Sequence, residues 1–429
     1  MKKLSLVFAA LFFCCGLVAQ EITLEDIWVK GTFRAKSIAG IRSMNNGENY
    51  CILTSEGIEK YSYSDGKKVE TIVSFSALKF NTDKEYVFEY EFNGDETKVL
   101  LATTPQFIYR RSYLANYYVY DLSSKQITPI DNEKVRLADF SPNGSMVAYV
   151  KDNNLFVLSL ADMSVRQITT DGKFNEKIYG TTDWVYEEEF AITKGFFWSP
   201  DSEKIAFYSF DESNVKEFTI PYYGTLYPIQ YSYKYPKAGE DNSVIGIHVF
   251  DLKTATTHDI DLGPNKDIYV PRLQWTPNNE VFVHKLNRHQ NHYELFLVNC
   301  NDYRMKKIYD ERNECYIEQA ENVTFLADKQ HFIKKSEKDG YMNLYKVNMY
   351  TKQIDPITSG KYDVDQICYI DPKSEKIYFT AAQSEAYNRE LLVVDKKKKV
   401  KKLSGKVGTY TADFSANGKY YISSFSDTD

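Results

Sequence analysis

The sequence has few residues that interrupt or cross-link a chain. Its 429 residues include only 12 prolines, 20 glycines and six cysteines, which excludes collagen-like and linker-dominated chains. Basic residues do not exceed acidic ones, with 53 Lys and Arg against 59 Asp and Glu, so the sequence predicts no nucleic-acid partner. Beyond the first twenty residues no apolar run approaches the length of about eighteen that a membrane-spanning helix needs.

Several catalytic and metal-binding motifs are also missing. The chain holds no G-x-S-x-G nucleophile elbow, no glycine-rich phosphate loop and no H-E-x-x-H motif. His289 and His292 stand among strand-like residues with no carboxylate set near them in the sequence, which favours surface histidines over metal ligands. We therefore expect no catalytic residue, no metal site and no cofactor in these residues.

The N-terminus has the pattern of a secretory signal peptide. Lys2 and Lys3 precede the apolar stretch Leu4–Phe13, and Val18-Ala19-Gln20 suits cleavage after Ala19. We predict a signal peptide over residues 1–19 and an exported mature chain. An uncleaved anchor is the alternative, which the shortness of the apolar stretch disfavours.

Four cysteines remain after this cleavage, namely Cys51, Cys300, Cys315 and Cys368. An exported chain can form disulfides, and Cys300 and Cys315 are the closest pair in sequence. Buried free thiols are the other interpretation. The sequence leaves both open.

The chain is rich in aromatic residues, and they recur in a repeated pattern. With 35 Tyr, 26 Phe and 43% hydrophobic residues it is too apolar for disorder. An aromatic or apolar residue, a tight polar turn and a β-rich run recur together, most clearly from Phe140–Gly144 and Trp198–Ser202 onward. Eight such turns lie near residues 46, 93, 143, 201, 278, 328, 373 and 417.

The spacing of these turns, about 45 to 50 residues apart from two longer intervals, is typical of a β-propeller with four strands per unit. The sequence therefore predicts an all-β fold, an eight-bladed β-propeller over residues 20–429, with a β-solenoid as the distant alternative. Only two strands follow the last turn, so we expect an incomplete eighth blade in a chain cut short.

The two longer intervals contain extra segments around Tyr179–Thr193 and Val215–Asn242. Insertions in repeat proteins map to loops on one face, where ligands often bind. We therefore expect the binding site in these segments.

The first extra segment contains Asp183–Phe190, with three consecutive glutamates at 187, 188 and 189. Neighbours on a strand point to opposite faces, so adjacent carboxylates can converge on one ligand only from a turn or a short helix. Converging carboxylates match a primary ammonium, which donates three hydrogen bonds and marks a peptide terminus. A solvated acidic loop is the alternative.

A second signal is Tyr109–Tyr113, which includes Arg110 and Arg111. An arginine beside the converging carboxylates could orient them and donate to a peptide carbonyl. Two adjacent arginines can also be a surface feature. The basic run Lys396–Lys402 is interpreted as a solvated hairpin.

At these residues the chain resembles a known family. Asp183–Glu189 resembles the double-glutamate motif of dipeptidyl peptidase IV, in the prolyl oligopeptidase family of serine peptidases. Tyr235–Gly239 and Leu286–Asn291 resemble two further segments of that family. The resemblance runs in order across essentially the whole mature chain and is nearest to bacterial members of the Bacteroides–Porphyromonas type.

The resemblance implies a propeller followed by a C-terminal α/β-hydrolase domain, which is absent from these residues. It implies that Glu188 and Glu189 hold the free α-amino group of a substrate, and that Arg110 contacts them and the carbonyl of the second residue. Glu187 and Tyr186 would support the shape of the motif. The catalytic triad would lie in the hydrolase domain, so we expect this chain alone to be inactive as a peptidase.

The resemblance also implies partners and a location. The substrates would be peptides with a free N-terminus and penultimate Pro or Ala, from which the full-length enzyme removes dipeptides. The hydrolase domain would be the propeller's partner, and the full-length protein could form a homodimer. The location would be the periplasm or cell envelope of a Gram-negative bacterium.

Two other interpretations compete with this one. The chain could be a stand-alone, non-catalytic propeller that binds peptide N-termini or a protein partner, or an unrelated propeller that scaffolds envelope assemblies. The acidic motif disfavours the scaffold. The incomplete last blade disfavours the stand-alone propeller, because an open ring would expose strand edges.

Overall fold

The computed structural model describes residues 21–34, 38, 40–80, 85–318 and 321–427. The chain divides into two compact units, Met1–Ala39 and Gly40–Asp429. The predicted signal peptide over residues 1–19 lies outside the described residues. Within the described ranges, no helix combines the length and apolar character needed to cross a membrane.

In the first unit, the described residues form one short helix, α1 (Leu24–Trp28). Thr23 begins it with a reciprocal cap. Its hydroxyl accepts a hydrogen bond from the Asp26 N–H (3.1 Å), and the Asp26 carboxylate accepts one from the Thr23 N–H (3.1 Å). This pairing satisfies donors that a helix start otherwise leaves free.

The second unit consists almost entirely of antiparallel strands, in six four-stranded sheets, one five-stranded sheet and two two-stranded sheets. The seven larger sheets are blades 1 to 7, in chain order. Blade 1 contains β1 (Arg42–Ser43), β2 (Asn49–Leu53), β3 (Gly57–Ser62) and β4 (Lys68–Ser74), and a 3₁₀ helix follows at Phe75–Ala77. Blade 2 contains β5 (Val87–Phe92), β6 (Lys98–Phe107), β7 (Tyr113–Asp121) and β8 (Ile127–Pro129). Blade 3 contains β9 (Arg136–Phe140), β10 (Met146–Lys151), β11 (Asn154–Ser159) and β12 (Val165–Gln167).

Blade 4 is the five-stranded sheet and carries both extra segments. Its chain order is β13 (Lys177–Tyr179), helix α2 (Trp184–Glu188), β14 (Phe196–Trp198), β15 (Lys204–Asp211), β16 (Glu217–Tyr222), β17 (Ile229–Lys234), β18 (Val244–Asp251) and β19 (Thr256–Ile260). Strands β13 and β14 both pair with β15. Strands β16 and β17 pair only with each other and form a hairpin outside the blade, which we call the arm.

Blades 5 to 7 are regular four-stranded sheets. Blade 5 contains β20 (Ile268–Trp275), β21 (Val281–Asn287), β22 (His292–Val298) and β23 (Met305–Arg312). Blade 6 contains β24 (Thr324–Phe325), β25 (His331–Ser336), β26 (Asn343–Asn348) and β27 (Ile354–Pro356). Blade 7 contains β28 (Val364–Ile370), β29 (Ile377–Ala381), β30 (Glu390–Val394) and β31 (Val400–Lys402), and the chain ends in the closing hairpin, β32 (Thr409–Phe414) and β33 (Tyr421–Ser426).

In each blade, the recurring polar turn joins two consecutive strands near the start of the blade. In blade 3, the Ser141 hydroxyl donates to Asn143 Oδ1 (2.8 Å) and accepts from the Met146 N–H (3.0 Å), while Gly144 takes a φ of 67°. Turns of neighbouring blades also meet, since the Asn143 N–H donates to the Ser202 hydroxyl (3.1 Å). The repeat read from the sequence therefore both shapes each blade and links it to the next.

Apolar side chains fill the space between neighbouring blades. Ile58 of blade 1 and Tyr118 of blade 2 belong to one buried cluster, and Ile333 of blade 6 and Phe379 of blade 7 belong to another. Aromatic side chains such as Tyr118 and Phe379 therefore pack between neighbouring sheets, where their large rings bury much apolar area.

The prediction of eight blades is corrected, because the described residues form seven blades. Where the eighth was expected, β32 and β33 form a sheet of two strands, and β32 makes an isolated bridge from Thr409 to Arg389, the residue before β30. The closing hairpin lies between the last and first blades. Phe414 stacks on Tyr369 of blade 7 (ring centroids 5.3 Å apart), and Tyr420 stacks on Tyr63, which follows β3 of blade 1 (5.7 Å).

The contact between blade 1 and the closing hairpin depends on Gly47. Gly47 has a φ of 65°, and a Cβ atom there would lie 2.3 Å from Asn417 Cγ. We expect Gly47→Ala to lower the free energy of unfolding by about 1–3 kcal/mol, through backbone strain and displacement of Asn417. Denaturant titration measures this loss.

Gly66 provides the matched control. Its φ is 66°, but no atom lies within 4 Å of the position a Cβ would take. Gly66→Ala therefore reports backbone strain alone and should lower the free energy of unfolding less than Gly47→Ala. Equal losses for the two variants would show that the contact with Asn417 is not tight.

Candidate functional site

The three consecutive glutamates lie on and just after the short helix α2. Asp183 caps this helix, because its Oδ1 accepts from the Tyr186 N–H (2.9 Å). Its Oδ2 accepts from the Ser243 hydroxyl (2.7 Å). Burial raises the pKa of Asp183 to about 6, and these two hydrogen bonds oppose the rise. The glutamates thus lie on a short helix and its C-terminal cap, one of the two local structures expected for carboxylates that bind one ligand.

The glutamates have three different environments. Glu187 is fully buried, and its Oε1 accepts from the N–H groups of Arg111 and Ser112, both at 2.8 Å. The Glu188 side chain is 13% exposed, whereas Glu189, the C-terminal cap of α2, is exposed. The alternative of a fully solvated acidic loop is therefore wrong for Glu187 and Glu188.

Two arginines from blade 2 approach Glu188. Arg110 Nε lies 3.4 Å and Arg111 Nη1 3.8 Å from Glu188 Oε2. Arg111 Nη1 also donates to the Glu187 carbonyl oxygen (2.7 Å), close to the helix C-terminus, where a cation is favoured. The structure thus brings Arg110 and Glu188 together, as the resemblance implied.

Glu189 differs from the other two predicted site residues, Arg110 and Glu188, in its polar contacts. Its carboxylate makes no hydrogen bond or ion pair with any residue in the described ranges. The Arg110 side chain is 71% exposed, and within those ranges its ion pairing is confined to Glu188. Glu189 therefore has free acceptor atoms, and Arg110 has free donor N–H groups, beside a Glu188 carboxylate that is already held.

The root of the arm packs against both parts of this site. Tyr233 contacts Tyr109, the residue before Arg110, with ring centroids 5.7 Å apart. Tyr235 contacts Trp184, the first residue of α2, at 4.4 Å. The two extra segments predicted to carry binding therefore meet, although the sequence did not reveal that the second one forms a hairpin.

Sequence reasoning missed the support beneath the site. Arg136 of β9 is a charged group close to Glu187. Burial lowers the pKa of Arg136, and the Glu187 carboxylate is the strongest of the groups that oppose this lowering. Glu187 Oε2 and Arg136 Nε are buried without a hydrogen-bond partner in the described part of the chain. No local pattern around residue 136 could have indicated this role.

Glu187 and Tyr186 hold the helix in place, which agrees with the supporting role expected of them. Glu187 joins α2 to the Arg111–Ser112 backbone, as described above. The Tyr186 hydroxyl accepts from the Val270 N–H (2.8 Å) and so joins α2 to blade 5.

The structure also shows the state of the cysteines, which the sequence left open, and the surroundings of His292. The four cysteines that the structure describes are all free, so Cys300 and Cys315 form no disulfide there. The expectation that no carboxylate set lies near His292 is wrong, because β22 and β23 place Glu294 opposite Asp310 and both near His292. Lys307 donates to Glu294 (3.2 Å) and Asp310 (2.7 Å) and already supplies a positive charge there.

Comparison with known proteins gives consistent matches. Residues 93–429 match the family model described as "Dipeptidyl peptidase IV (DPP IV) N-terminal region". The "Probable dipeptidyl peptidase 4" of Arthroderma benhamiae is 29% identical over 363 residues, which cover 79% of this chain and 46% of the relative. The protein of the same name from Aspergillus fumigatus is 29% identical over 406 residues, which cover 88% and 53%.

A solved structure matches over nearly the whole chain. The crystal structure of Porphyromonas gingivalis dipeptidyl peptidase 4 has a TM-score of 0.89 and 36% sequence identity, and the match covers 94% of this chain and 58% of that one. The chain therefore spans about half the length of the curated relatives it matches.

Proposed function

The chain belongs to the dipeptidyl peptidase IV N-terminal region family, and we propose on this basis that it is the substrate-binding propeller of an exported serine exopeptidase. In this proposal, Glu188 and Glu189 bind the free α-amino group of a peptide. Arg110 orients them and donates to the carbonyl of the peptide's second residue. The full-length enzyme then removes Xaa-Pro and Xaa-Ala dipeptides.

The observation that carries this proposal is the contact of Arg110 with Glu188 next to an unpaired Glu189. Both arginines pair with Glu188, so Glu189 is the carboxylate whose negative charge and acceptor atoms stay available to a ligand. A primary ammonium donates three hydrogen bonds and fits such acceptors. An internal peptide segment has no charge at this position, so the site would select chain termini.

The rest of the proposal concerns the part of the enzyme beyond this chain. The relatives are about twice as long, which supports an α/β-hydrolase domain as the partner that supplies the catalytic triad. The chain alone would then bind peptides without cleaving them. We propose export to the periplasm or cell envelope of a Gram-negative bacterium, and a homodimer for the full-length protein.

The direct test is peptide binding by the chain itself. We expect an Ala-Pro peptide with a free N-terminus to bind, and its Nα-acetylated form to bind at least about 100-fold more weakly, because acetylation removes the hydrogen bonds to both carboxylates and such bonds contribute about 1.5–3 kcal/mol each. Isothermal titration calorimetry measures both affinities. Equal affinities would contradict the proposed amine site.

The stand-alone propeller that binds peptide N-termini is a second candidate. The objection that an incomplete last blade leaves an open ring is weakened, because the closing hairpin stacks on both blade 7 and blade 1. The mass of the native protein in its source cells separates the two functions. A species larger by a hydrolase domain supports the peptidase, and a species of residues 20–429 supports the stand-alone binder.

A further inference from the structure

A cavity of about 210 Å³ lies among blades 2, 3 and 4, and we call it the inter-blade cavity. Trp184, the first residue of α2, forms part of its wall, and so does Tyr109, the residue before Arg110. Neither Arg110 nor Glu188 nor Glu189 lines it. The inter-blade cavity therefore adjoins the proposed amine site but is separate from it.

The wall of the inter-blade cavity includes a buried carboxylate without a partner. Glu212, the residue after β15, is only 7% exposed, and its carboxylate forms no hydrogen bond or ion pair with any residue in the described ranges. No Glu212 atom is among the buried side-chain atoms that lack both a partner and accessible surface, so its carboxylate oxygens are accessible at the cavity wall. Because buried polar groups are nearly always paired, an accessible and unpaired carboxylate here points to a ligand.

The charges around Glu212 favour a cationic ligand group. Desolvation, followed by repulsion from Asp183, raises the pKa of Glu212 to about 8, while Lys234 and Arg136 oppose the rise and Asp211 adds to it weakly. An ammonium bound beside Glu212 would stabilise its charged form.

A cation without a partner lines the same cavity. The Arg136 side chain forms no hydrogen bond or ion pair within the part of the chain that the structure describes. Its Nε is enclosed by protein, whereas Nη1 and Nη2 are not among the enclosed unpaired atoms and are therefore accessible. The planar fork of arginine binds a carboxylate through two parallel N–H bonds. Arg136 and Glu212 thus line one cavity without pairing with each other.

The size and the other walls of the inter-blade cavity suit a small ligand with an apolar part. Drug-sized ligands occupy about 300–1,000 Å³, which is more than the 210 Å³ found here. Tyr109, Phe174 and Trp184 supply aromatic surface. A ligand that fits has a carboxylate for Arg136, an ammonium for Glu212 and a short apolar side chain.

We propose that the inter-blade cavity binds a small zwitterion, of the class of free amino acids and dipeptides with apolar side chains. Arg136 donates to the carboxylate of this ligand, and Glu212 accepts from its ammonium. The inference goes beyond the proposed function and does not depend on it, because the two charged partners are not residues of the amine site. The chain would then recognise free zwitterions at one place and peptide N-termini at another.

The test is calorimetric titration with leucine and with the dipeptide Ala-Pro at pH 8. The chain carries Glu188→Gln and Glu189→Gln, which remove the proposed amine site as a competing site. We expect at least one of the two zwitterions to bind. Its N-acetylated form and its C-terminal amide should each bind at least about tenfold more weakly, because each lacks one charge-assisted hydrogen bond. The tighter of the two zwitterions identifies the ligand as an amino acid or a dipeptide.

Glu212→Gln, added to the same chain, tests the assigned carboxylate. It keeps the size of the side chain and removes its charge, so it should weaken zwitterion binding about tenfold and leave the affinity for the N-acetylated form unchanged. Glu176→Gln is the matched control. The Glu176 carbonyl oxygen accepts from the Glu212 N–H (2.7 Å), but Glu176 does not line the cavity and its carboxylate pairs with Lys173. This control should bind the zwitterion as tightly as its parent.

Three results would overturn the inference. They are no binding of either zwitterion, equal affinities for a zwitterion and its N-acetylated form, and equal losses of affinity in Glu212→Gln and Glu176→Gln. If Glu212→Gln does not fold, the comparison of each zwitterion with its two blocked forms decides the question alone. Because the tested chain lacks Glu188 and Glu189, failure of the proposed amine site does not affect these outcomes.

Discussion

Replacing Glu188 and Glu189 together with glutamine is expected to weaken binding of a free-amine Ala-Pro peptide by at least about 100-fold. Each carboxylate would accept a charge-assisted hydrogen bond from the ammonium, and such bonds contribute about 1.5–3 kcal/mol each. Glutamine keeps the size and one acceptor oxygen but removes the charge. The loss should therefore be smaller for the Nα-acetylated peptide, which offers no ammonium.

The two single variants should differ. Glu188 is already within ion-pair distance of Arg110 and Arg111, so Glu188→Gln also frees two cations that repel the incoming ammonium. Glu189 has no such partner among the residues the structure describes, so Glu189→Gln removes attraction only. We expect the Glu188 variant to lose more affinity, as calorimetry with the same peptide would show.

A control of equal charge change is available elsewhere on the surface. Glu203 and Glu385 are exposed residues outside the site, and their double glutamine variant should leave peptide affinity unchanged. If the Glu188/Glu189 double variant keeps wild-type affinity and still rejects the acetylated peptide, then other groups hold the amine. If the control variant loses affinity to the same degree, the effect comes from net charge and not from the site.

The parts of the site that the sequence revealed are those encoded locally. The three adjacent glutamates at 187–189 left a turn or a short helix as the local structures from which neighbouring carboxylates can converge, because neighbours on a strand point to opposite faces. The contact of Arg110 with Glu188 came from resemblance, since nothing in the Tyr109–Tyr113 segment indicates its partner. Glu187 accepts from backbone N–H groups 75 and 76 residues earlier in the chain, and such a pairing exists only once two blades are in place.

The fold shows the same division between local and distant information. The polar turns predicted the start of every blade, because their hydrogen bonds lie within a few residues. The number of blades was wrong because a turn at residue 417 begins a hairpin whether or not two more strands join it. The arm was not foreseen, although Ile229–Lys234 alternates aromatic and polar residues as a strand does.

Replacing the buried Glu187 with alanine is expected to lower the free energy of unfolding by about 2–4 kcal/mol, because two backbone N–H groups lose their acceptor and an unsatisfied buried donor costs about 1–3 kcal/mol. The change leaves the Arg111 and Ser112 N–H groups without their acceptor at 2.8 Å. It also removes the negative charge that most strongly opposes the lowering of the Arg136 pKa by burial. Denaturant unfolding measures the loss.

Two further variants test whether this loss comes from the buried carboxylate. Glu187→Gln keeps an acceptor for the two N–H groups and loses only the charge, so it should reduce stability by less, about 1–2 kcal/mol. Glu189→Ala changes an exposed neighbour and should stay within about 0.5 kcal/mol of the unaltered chain. A Glu187→Ala variant no less stable than Glu189→Ala would show that the site does not depend on this buried support. A stable Glu187→Ala variant that binds free-amine peptides normally would show that the Arg110–Ser112 segment holds its position through other contacts.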